Sequence, residues 1–427
     1  MMAFGTPDQP EDTVSMTNAP PTTPADGGQA GAAHTFDHTG EEYAATAPDL
    51  WDELREQCPV AHSDSHGGVW LPTRHADVSA VARDTDSFSS EGIIVNDMKP
   101  SGTAPVGYAP PITSDPPFHA EARRILLPAF SPKAVAALEP KTRELCRSLI
   151  ERLLAEPSGT VDAAAGYAQE IPVRVIAHML GLPEEDGPRF RTFIHRILEK
   201  PGEYAGKVAP EDTLIHYLST HLRERRHQAP KDDLTSYLFD VEMGGEPLTD
   251  EHIFGTIALL LIAGIDTTWS AIGAGLWHLA QHPDDRARLR DDPEVLPFAI
   301  EEILRFYAPV TMARIAATDT DIGGCPVAER DWVLLPFPAA NRDPEAFDRA
   351  DEFVIDRKAN RHLAFGLGIH RCLGSNLARM ELTVAIEEWM RAIPEFELTD
   401  PETVRWSTGQ VRGPRELPVR ILVDQET

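Results

Sequence analysis

One cysteine, Cys372, stands in the run "HLAFGLGIHRCLGSNLARMELTVAIEEWM", flanked by glycines and followed at once by an apolar-periodic segment. Leu373, Leu377, Met380, Val384 and Ile386 approximate one helical face, so the spacing predicts a helix just after the cysteine. Free backbone N–H groups and the dipole at a helix N-terminus stabilise a thiolate. Gly366, Gly368 and Gly374 remove side chains around the sulfur, which lets something broad and flat approach the backbone. Phe365 shields the site, and His370 and Arg371 lie beside it. Such a loop suits a large planar metal cofactor with acidic substituents.

A lone cysteine is most often a small buried hydrophobe, and Cys58, Cys146 and Cys325 read that way. A dinucleotide loop fails on spacing, because "GLGIHRCLG" puts Arg371 where GxGxxG needs its third glycine. A zinc site on His362, His370 and Cys372 lacks the usual pairing of ligands. The loop "FGLGIHRCLG" resembles the haem-binding loop of the cytochrome P450 family, Phe-x-x-Gly-x-(Arg/His)-x-Cys-x-Gly, through Phe365, Gly368, His370, Cys372 and Gly374. The resemblance implies that Cys372 is the axial thiolate of haem b, held in a loop of Phe365, Gly366 and Gly374, with His370 at a propionate.

Three further segments fall in the order that family would require. In "EEILRF", Glu302 and Arg305 share a helix face, which alone reads as an ordinary exposed ion pair of little worth. The resemblance implies instead a buried structural pair, completed by Arg357 in "FVIDRKANRH". In "LLLIAGIDTTWSAIG", a Thr267 hydroxyl bonded back to the Ala263 carbonyl would bend a helix, and Gly264 would remove bulk there. A glycine and a threonine in mid-helix are usually packing details. By resemblance this is the oxygen-activation segment, with Thr267 as hydrogen-bond donor and Asp266 as proton relay. In "SDPPFHAEARRILLPAF", His119 and Arg123 are i,i+4 neighbours, commonly a solvated face. By resemblance they meet a haem propionate, as does Arg314 in "MARIAATD".

These residues need elements to hold them. "PDLWDELREQCPV" predicts a helix, and "GGVWLPTRHADVSAVARD" a strand then a helix. Ser89 to Ser114 is a Gly- and Pro-rich irregular loop of the kind that serves as a lid or binding loop. Helical periodicity runs from Ala120 to about Gln281, interrupted at Pro172, "GLPEED" and "PGEYAGKVAP". Short strands follow in "PVTMARIAATDTDIGGCPV", "WVLLPFPAANRD" and "VRWSTGQVRGPRELPVRILV". The expected class is mainly α with small β-sheets, the cytochrome P450 fold by resemblance. Residues 1–35 read as a disordered Pro- and Gly-rich tail, and 36–427 as a single haem-thiolate monooxygenase domain.

A net charge of −29 over 427 residues excludes general nucleic-acid binding and docking on anionic membranes. The apolar run Ile253 to Ile265 is too short to span a bilayer and reads as a core helix. Four scattered cysteines without a CxxC pair, and no signal-peptide pattern, give a cytoplasmic expectation.

The resemblance, running from about Asp49 to Val423, implies a monooxygenase that inserts one atom of O2 into its substrate. Several stretches are similar to the haem domains of self-sufficient members, but no fused reductase follows. Electrons are then expected from a separate ferredoxin and ferredoxin reductase, docking on a local basic patch with Arg361 and Arg371. Ile93, Ile94, Val95, Leu260, Ala263, Val310, Thr311, Met312 and Val411 are the expected pocket residues. Most are apolar, which points to a small or medium apolar substrate, aromatic ones included, undergoing hydroxylation or O-dealkylation. The rival functions are a peroxide-driven haem-thiolate peroxygenase and a non-catalytic haem protein that binds a ligand.

Overall fold

The computed structural model describes residues 36–95, 108–199, 201–204 and 207–422. The expectations for residues 1–35 and for residues 96–107 of the irregular loop lie outside the described residues. Helices dominate, and they pack around a 32-residue helix, Asp250–Gln281. Thr249 caps it by accepting from the His252 N–H at 3.1 Å, and Asp250 and Glu251 favour its positive end. This helix is long and apolar enough to cross a membrane, yet 78% of its apolar window is buried inside the protein. Apolarity on all sides therefore serves the core. The helices Glu170–Leu180 and Ser375–Ala392 both pack against it, and Ser375–Ala392 also packs on Pro132–Leu154.

A five-stranded sheet forms the other side. Its order is Val60–Ser63, Val69–Pro72, Trp332–Pro336, Thr311–Ala316 and Phe88–Ser89. Register decides which residues face the site. Leu334 pairs with Ala313 and Trp332 with Ile315, and this face packs on Trp51 and Leu54. Val333 pairs with Arg314 and Leu335 with Met312, on the opposite face.

Three local expectations change. The first helix starts at Glu41, ahead of the expected segment, and carries Pro48 inside it. Proline there deprives the Ala44 carbonyl of its helical partner. Arg412 Nε donates to that carbonyl at 3.1 Å and makes good the loss. Pro172 does not interrupt a helix; it lies in the first turn of Glu170–Leu180, where N–H groups have no helical partner anyway. The break falls just before it, in the π-turn Ala164–Ala168. Finally, "PFPAANRD" leaves the strand and forms the short helix Phe337–Ala340.

Candidate active site

The Cys372 loop is folded by its own backbone. Cys372 N–H donates to the Phe365 carbonyl at 2.8 Å, and Gly366 N–H to the Leu363 carbonyl at 2.8 Å. Gly366 and Gly368 take φ of +61° and +67°, the left-handed region, and a Cβ on Gly368 would lie 2.8 Å from the Ala82 carbonyl oxygen. The following helix begins at Ser375. Cys372 opens onto a cavity of about 250 Å³, the only one of the four free cysteines to line it. Burial pushes its thiol above the ordinary range, opposed by the Gly374 N–H and the guanidinium groups of Arg123, Arg371 and Arg379. Enclosure by protein and access from the cavity coexist here. Arg379 also stacks 4.4 Å from the Phe365 ring centre, held there by Glu301 at 2.6 and 2.8 Å.

Behind the loop, Glu302, Arg305 and Arg357 form one buried cluster. Glu302 accepts from Arg305 Nε and Nη2 at 2.8 Å each, from Arg357 Nε at 3.0 Å, from the Val354 N–H at 2.8 Å and from Asn360 Nδ2 at 3.1 Å. Arg305 also donates to the carbonyls of Asn341, Ala350 and Glu352. Arg357 donates to those of Asp348, Arg349 and Glu352. Glu302 and Arg305 are fully buried, so the pair is not the exposed one that spacing alone suggests. Asn341 links the cluster to the loop, its side chain accepting from Leu363 N–H at 2.6 Å.

Across the cavity, the long helix runs unbroken through Ala263 to Thr267, and the Thr267 hydroxyl donates to the Ala263 carbonyl at 2.8 Å. Both residues line the cavity. The missing side chain of Gly264 is needed by Ile176, whose Cγ1 would lie 2.5 Å from a Cβ there. Glycine thus permits close helix packing as well as leaving room in the cavity wall. Asp266 is fully buried but is not on that wall. Its Oδ1 accepts from Arg415 Nη2 at 2.7 Å, and its Oδ2 is buried with no partner among the described residues. Arg415 also donates to Ser270 Oγ at 3.0 Å and to Glu199, and stacks 4.1 Å over Trp269. The second oxygen of Glu199 meets His195 at 2.8 Å, and the His195 side chain is 45% exposed, so the chain of polar groups reaches the surface. Burial raises the Asp266 pKa to about 6, against the pull of Arg415.

The remaining edge is cationic. Arg123, Arg314 and His370 line the cavity, and the rings of His119 and His370 lie 4.4 Å apart. Arg123 donates to the Arg371 carbonyl at 2.6 Å, Arg314 to that of Ala313 at 2.7 Å, and His370 pairs with Ser90 Oγ at 2.8 Å. Buried His119 leaves Nε2 without a partner among the described residues. Burial lowers Arg314 to about 10 and depresses both histidines, which the neighbouring guanidinium groups depress further. Crowded cationic groups at the edge of an apolar slot fit a ligand carrying carboxylates there. With one thiol on the wall, the donor set fits haem b.

Of the expected pocket residues, Leu260, Ala263, Val310 and Met312 line the cavity. Ile93, Ile94, Val95, Thr311 and Val411 are not on its wall. The Ile93 carbonyl accepts from Ala313 N–H and Gln410 Nε2, and Val95 is in the core on the far side of the sheet. Val411 bridges Val310 from outside. Strand alternation accounts for Thr311, since Met312 and Arg314 point the other way. Pro111, Ile112, Ile176 and Leu259 line the cavity without having been singled out in the sequence. Arg415, Glu199 and Ser90 were also missed. Alternation applied to Arg314 would have separated Thr311 from Met312, whereas no local signal marks Arg415, 149 residues from its partner.

Residues 188–408 match the family model described as "Cytochrome P450". The chain is 33% identical to the mycinamicin IV hydroxylase/epoxidase of Micromonospora griseorubida over 384 residues, 88% of this chain and 96% of that protein. It is 37% identical to the nocardicin C N-oxygenase of Nocardia uniformis subsp. tsuyamanensis over 360 residues, 82% of this chain and 89% of that protein. Among solved structures, CYP109E1 from Bacillus megaterium in complex with testosterone superposes with a TM-score of 0.81 at 32% identity. That match covers 90% of this chain and all of that one.

Proposed function

Since the chain belongs to the cytochrome P450 family, we propose that the Cys372 thiolate would hold its haem b and that its substrate is a small or medium apolar molecule. Haem, when bound, supplies the transfer of one oxygen atom from O2. The chain supplies the rest. Cys372 provides the sulfur, and the Gly374 N–H favours its charged form. Arg123 and Arg314 would neutralise the two propionates, and the neutral imidazoles of His119 and His370 would hydrogen-bond there. Thr267 holds a hydroxyl at the cavity wall, and Asp266 is its proton relay, held in place by Arg415, which Glu199 pairs in turn. Leu259, Leu260, Val310 and Met312 bind substrate by apolar contact and exclude water.

The observation that carries this reading is one cavity with a single cysteine on one wall, a back-bonded threonine on the other and a cationic edge between them. Relatives named for mycinamicin IV and nocardicin C, and a neighbour holding testosterone, support a range wider than small aromatics. Electrons come from a ferredoxin and its reductase, with the exposed Arg361 and Arg371 on the docking face. Free thiols at all four cysteines suit a reducing cytoplasm. The test is a reduced, carbon-monoxide-bound difference spectrum of the purified protein. The thiolate-type red-shifted Soret band is expected, and Cys372→Ala is expected to lose it; a variant that kept the band would overturn the ligand assignment. Screening for substrate-induced spin shifts then finds the molecules that fit.

One observation favours a peroxide-driven variant of the same chemistry: the Asp266 carboxyl is tied to Arg415 away from the cavity wall. Turnover with hydrogen peroxide that matched or exceeded ferredoxin-driven turnover would select it.

A further inference from the structure

Away from the cavity, the chain enters the first helix through "FDHTG", Phe36 to Gly40, which lies against the turn joining the strands Val60–Ser63 and Val69–Pro72. The hydroxyls of Ser63 and Ser65 both donate to the Phe36 carbonyl, at 2.6 and 3.0 Å, so the crossing is built. Three side chains meet there. His66 Nε2 is 3.1 Å from Asp37 Oδ1, and the rings of His38 and His66 lie 5.4 Å apart, edge to face. One ligand-capable atom from each of Asp37, His38 and His66 lies within 4.8 Å of the others.

Two features set this cluster apart from an ordinary histidine–carboxylate contact. His38 is 2% exposed, and its Nε2 is buried with no hydrogen-bond partner among the described residues. A buried imidazole nitrogen left unpaired is costly unless something occupies it. His66 also sits at φ 54° and ψ 26°, the left-handed region that a side chain rarely adopts, and this turns its ring onto Asp37.

We propose that Asp37, His38 and His66 form a binding site for one divalent zinc-type cation, separate from the haem cavity. Two imidazoles and one carboxylate are a zinc donor set, with water taking the fourth position. Ligand bonds of about 2.0–2.2 Å in a tetrahedron put donor atoms roughly 3.3 Å apart. The Asp37–His66 edge, at 3.1 Å, is close to that length, and one ligand atom of His38 lies within 4.8 Å of both. The site joins the segment before the first helix to the sheet turn. Bound metal would therefore fasten Phe36, whose core also holds Trp51, Ala313 and Ile315, and would leave the chemistry untouched. Its effect is on stability, through preferential binding to the folded chain.

The test uses the full-length haem-loaded protein, stripped with chelator and titrated with Co(II) and then Zn(II). The wild type should take up one Co(II) with the visible bands of a tetrahedral site, and Zn(II) should displace it. Zn(II) should raise the melting temperature while the thiolate-type Soret band stays in place. His38→Ala and His66→Ala should each lose both the cobalt bands and the thermal shift. If His38→Ala disturbs folding, Asp37→Asn, at an exposed position, removes a ligand without touching the packing. No stoichiometric uptake by the wild type, or uptake unchanged in all three variants, would overturn the site.

Discussion

Two groups of buried charges beside the cavity, Glu302 with its arginines and Asp266 with Arg415, are paired to different degrees. On the cysteine side, both oxygens of Glu302 and every side-chain nitrogen of Arg305 and Arg357 are hydrogen-bonded. On the threonine side, Asp266 uses one oxygen and leaves the other buried without a partner among the described residues, and Trp269 Nε1 nearby has none there either. A fully satisfied buried network has one good arrangement and is stiff. A half-satisfied one has a donor or acceptor to spare for something that arrives or moves. On the proposed roles, the cysteine loop stays in one place, whereas a proton path changes partners, and the contrast between the two groups of charges matches those roles.

The largest way to break the contrast is to unpair the stiff wall. Arg305→Ala leaves Glu302 with Arg357 as its one cationic partner and frees the buried carbonyls of Asn341, Ala350 and Glu352; removing one partner of a buried pair costs about 3–5 kcal/mol. Chemical denaturation should show that loss, along with poor haem retention, because Asn341 ties this cluster to the loop through Leu363. A variant with wild-type stability would mean that the cluster does not support the loop.

The next effect is on the working wall and leaves stability nearly alone. Thr267→Ala removes a hydroxyl whose bond to Ala263 is local, so folding should change by less than about 1 kcal/mol. Coupling of oxygen uptake to product should fall severalfold, with the difference released as peroxide or water. Equal coupling in variant and wild type would remove Thr267 from proton delivery.

How much of this was legible differs between the walls for a physical reason. Cys372, Glu302, Arg305 and Thr267 sit in short motifs whose geometry a loop or one helix face sets, so a resemblance could pick them out, although spacing alone left Glu302 and Arg305 as an exposed ion pair. Arg357 was reached through resemblance, and its Nε donates to Glu302 at 3.0 Å. Arg415 and Glu199 were not legible. Their link to Asp266 joins the long helix to a C-terminal strand, Pro414–Glu416, and to the segment His195–Glu199. Nothing in a one-dimensional pattern reports such a meeting. The pocket residues divide in the same way: Met312 and Val310 are on the wall, while Ile93 and Val95 depend on a sheet register that the sequence alone does not reveal.

A smaller effect sharpens the role of Asp266. Burial raises it from 3.8 to about 6, and Arg415 opposes that rise. Since the folded value lies above the ordinary one, its contribution to stability is full below about pH 4 and is lost as pH climbs through about 6. Above that, a buried carboxylate relies on Arg415. In the wild type, coupling should therefore titrate near pH 6. Arg415→Leu removes the lowering partner, so the inflection should move upward, and Asp266→Asn should abolish it. An inflection unmoved by Arg415→Leu would assign the titration to another group.

The smallest effect belongs to the outer surface of the stiff wall. Arg361 and Arg371 are exposed, so each contact with an acidic ferredoxin is worth only about 0.2–1 kcal/mol and is screened by salt. Reversing both, Arg361→Glu with Arg371→Glu, should slow ferredoxin-driven reduction several-fold at low ionic strength. The gap should close as salt shortens the Debye length to about 8 Å near 0.15 M. Peroxide-driven turnover does not use that docking surface and should fall much less. A loss of both activities would instead place Arg371 with the loop it belongs to, whose carbonyl already binds Arg123. Equal reduction rates at every salt concentration would move the docking face elsewhere.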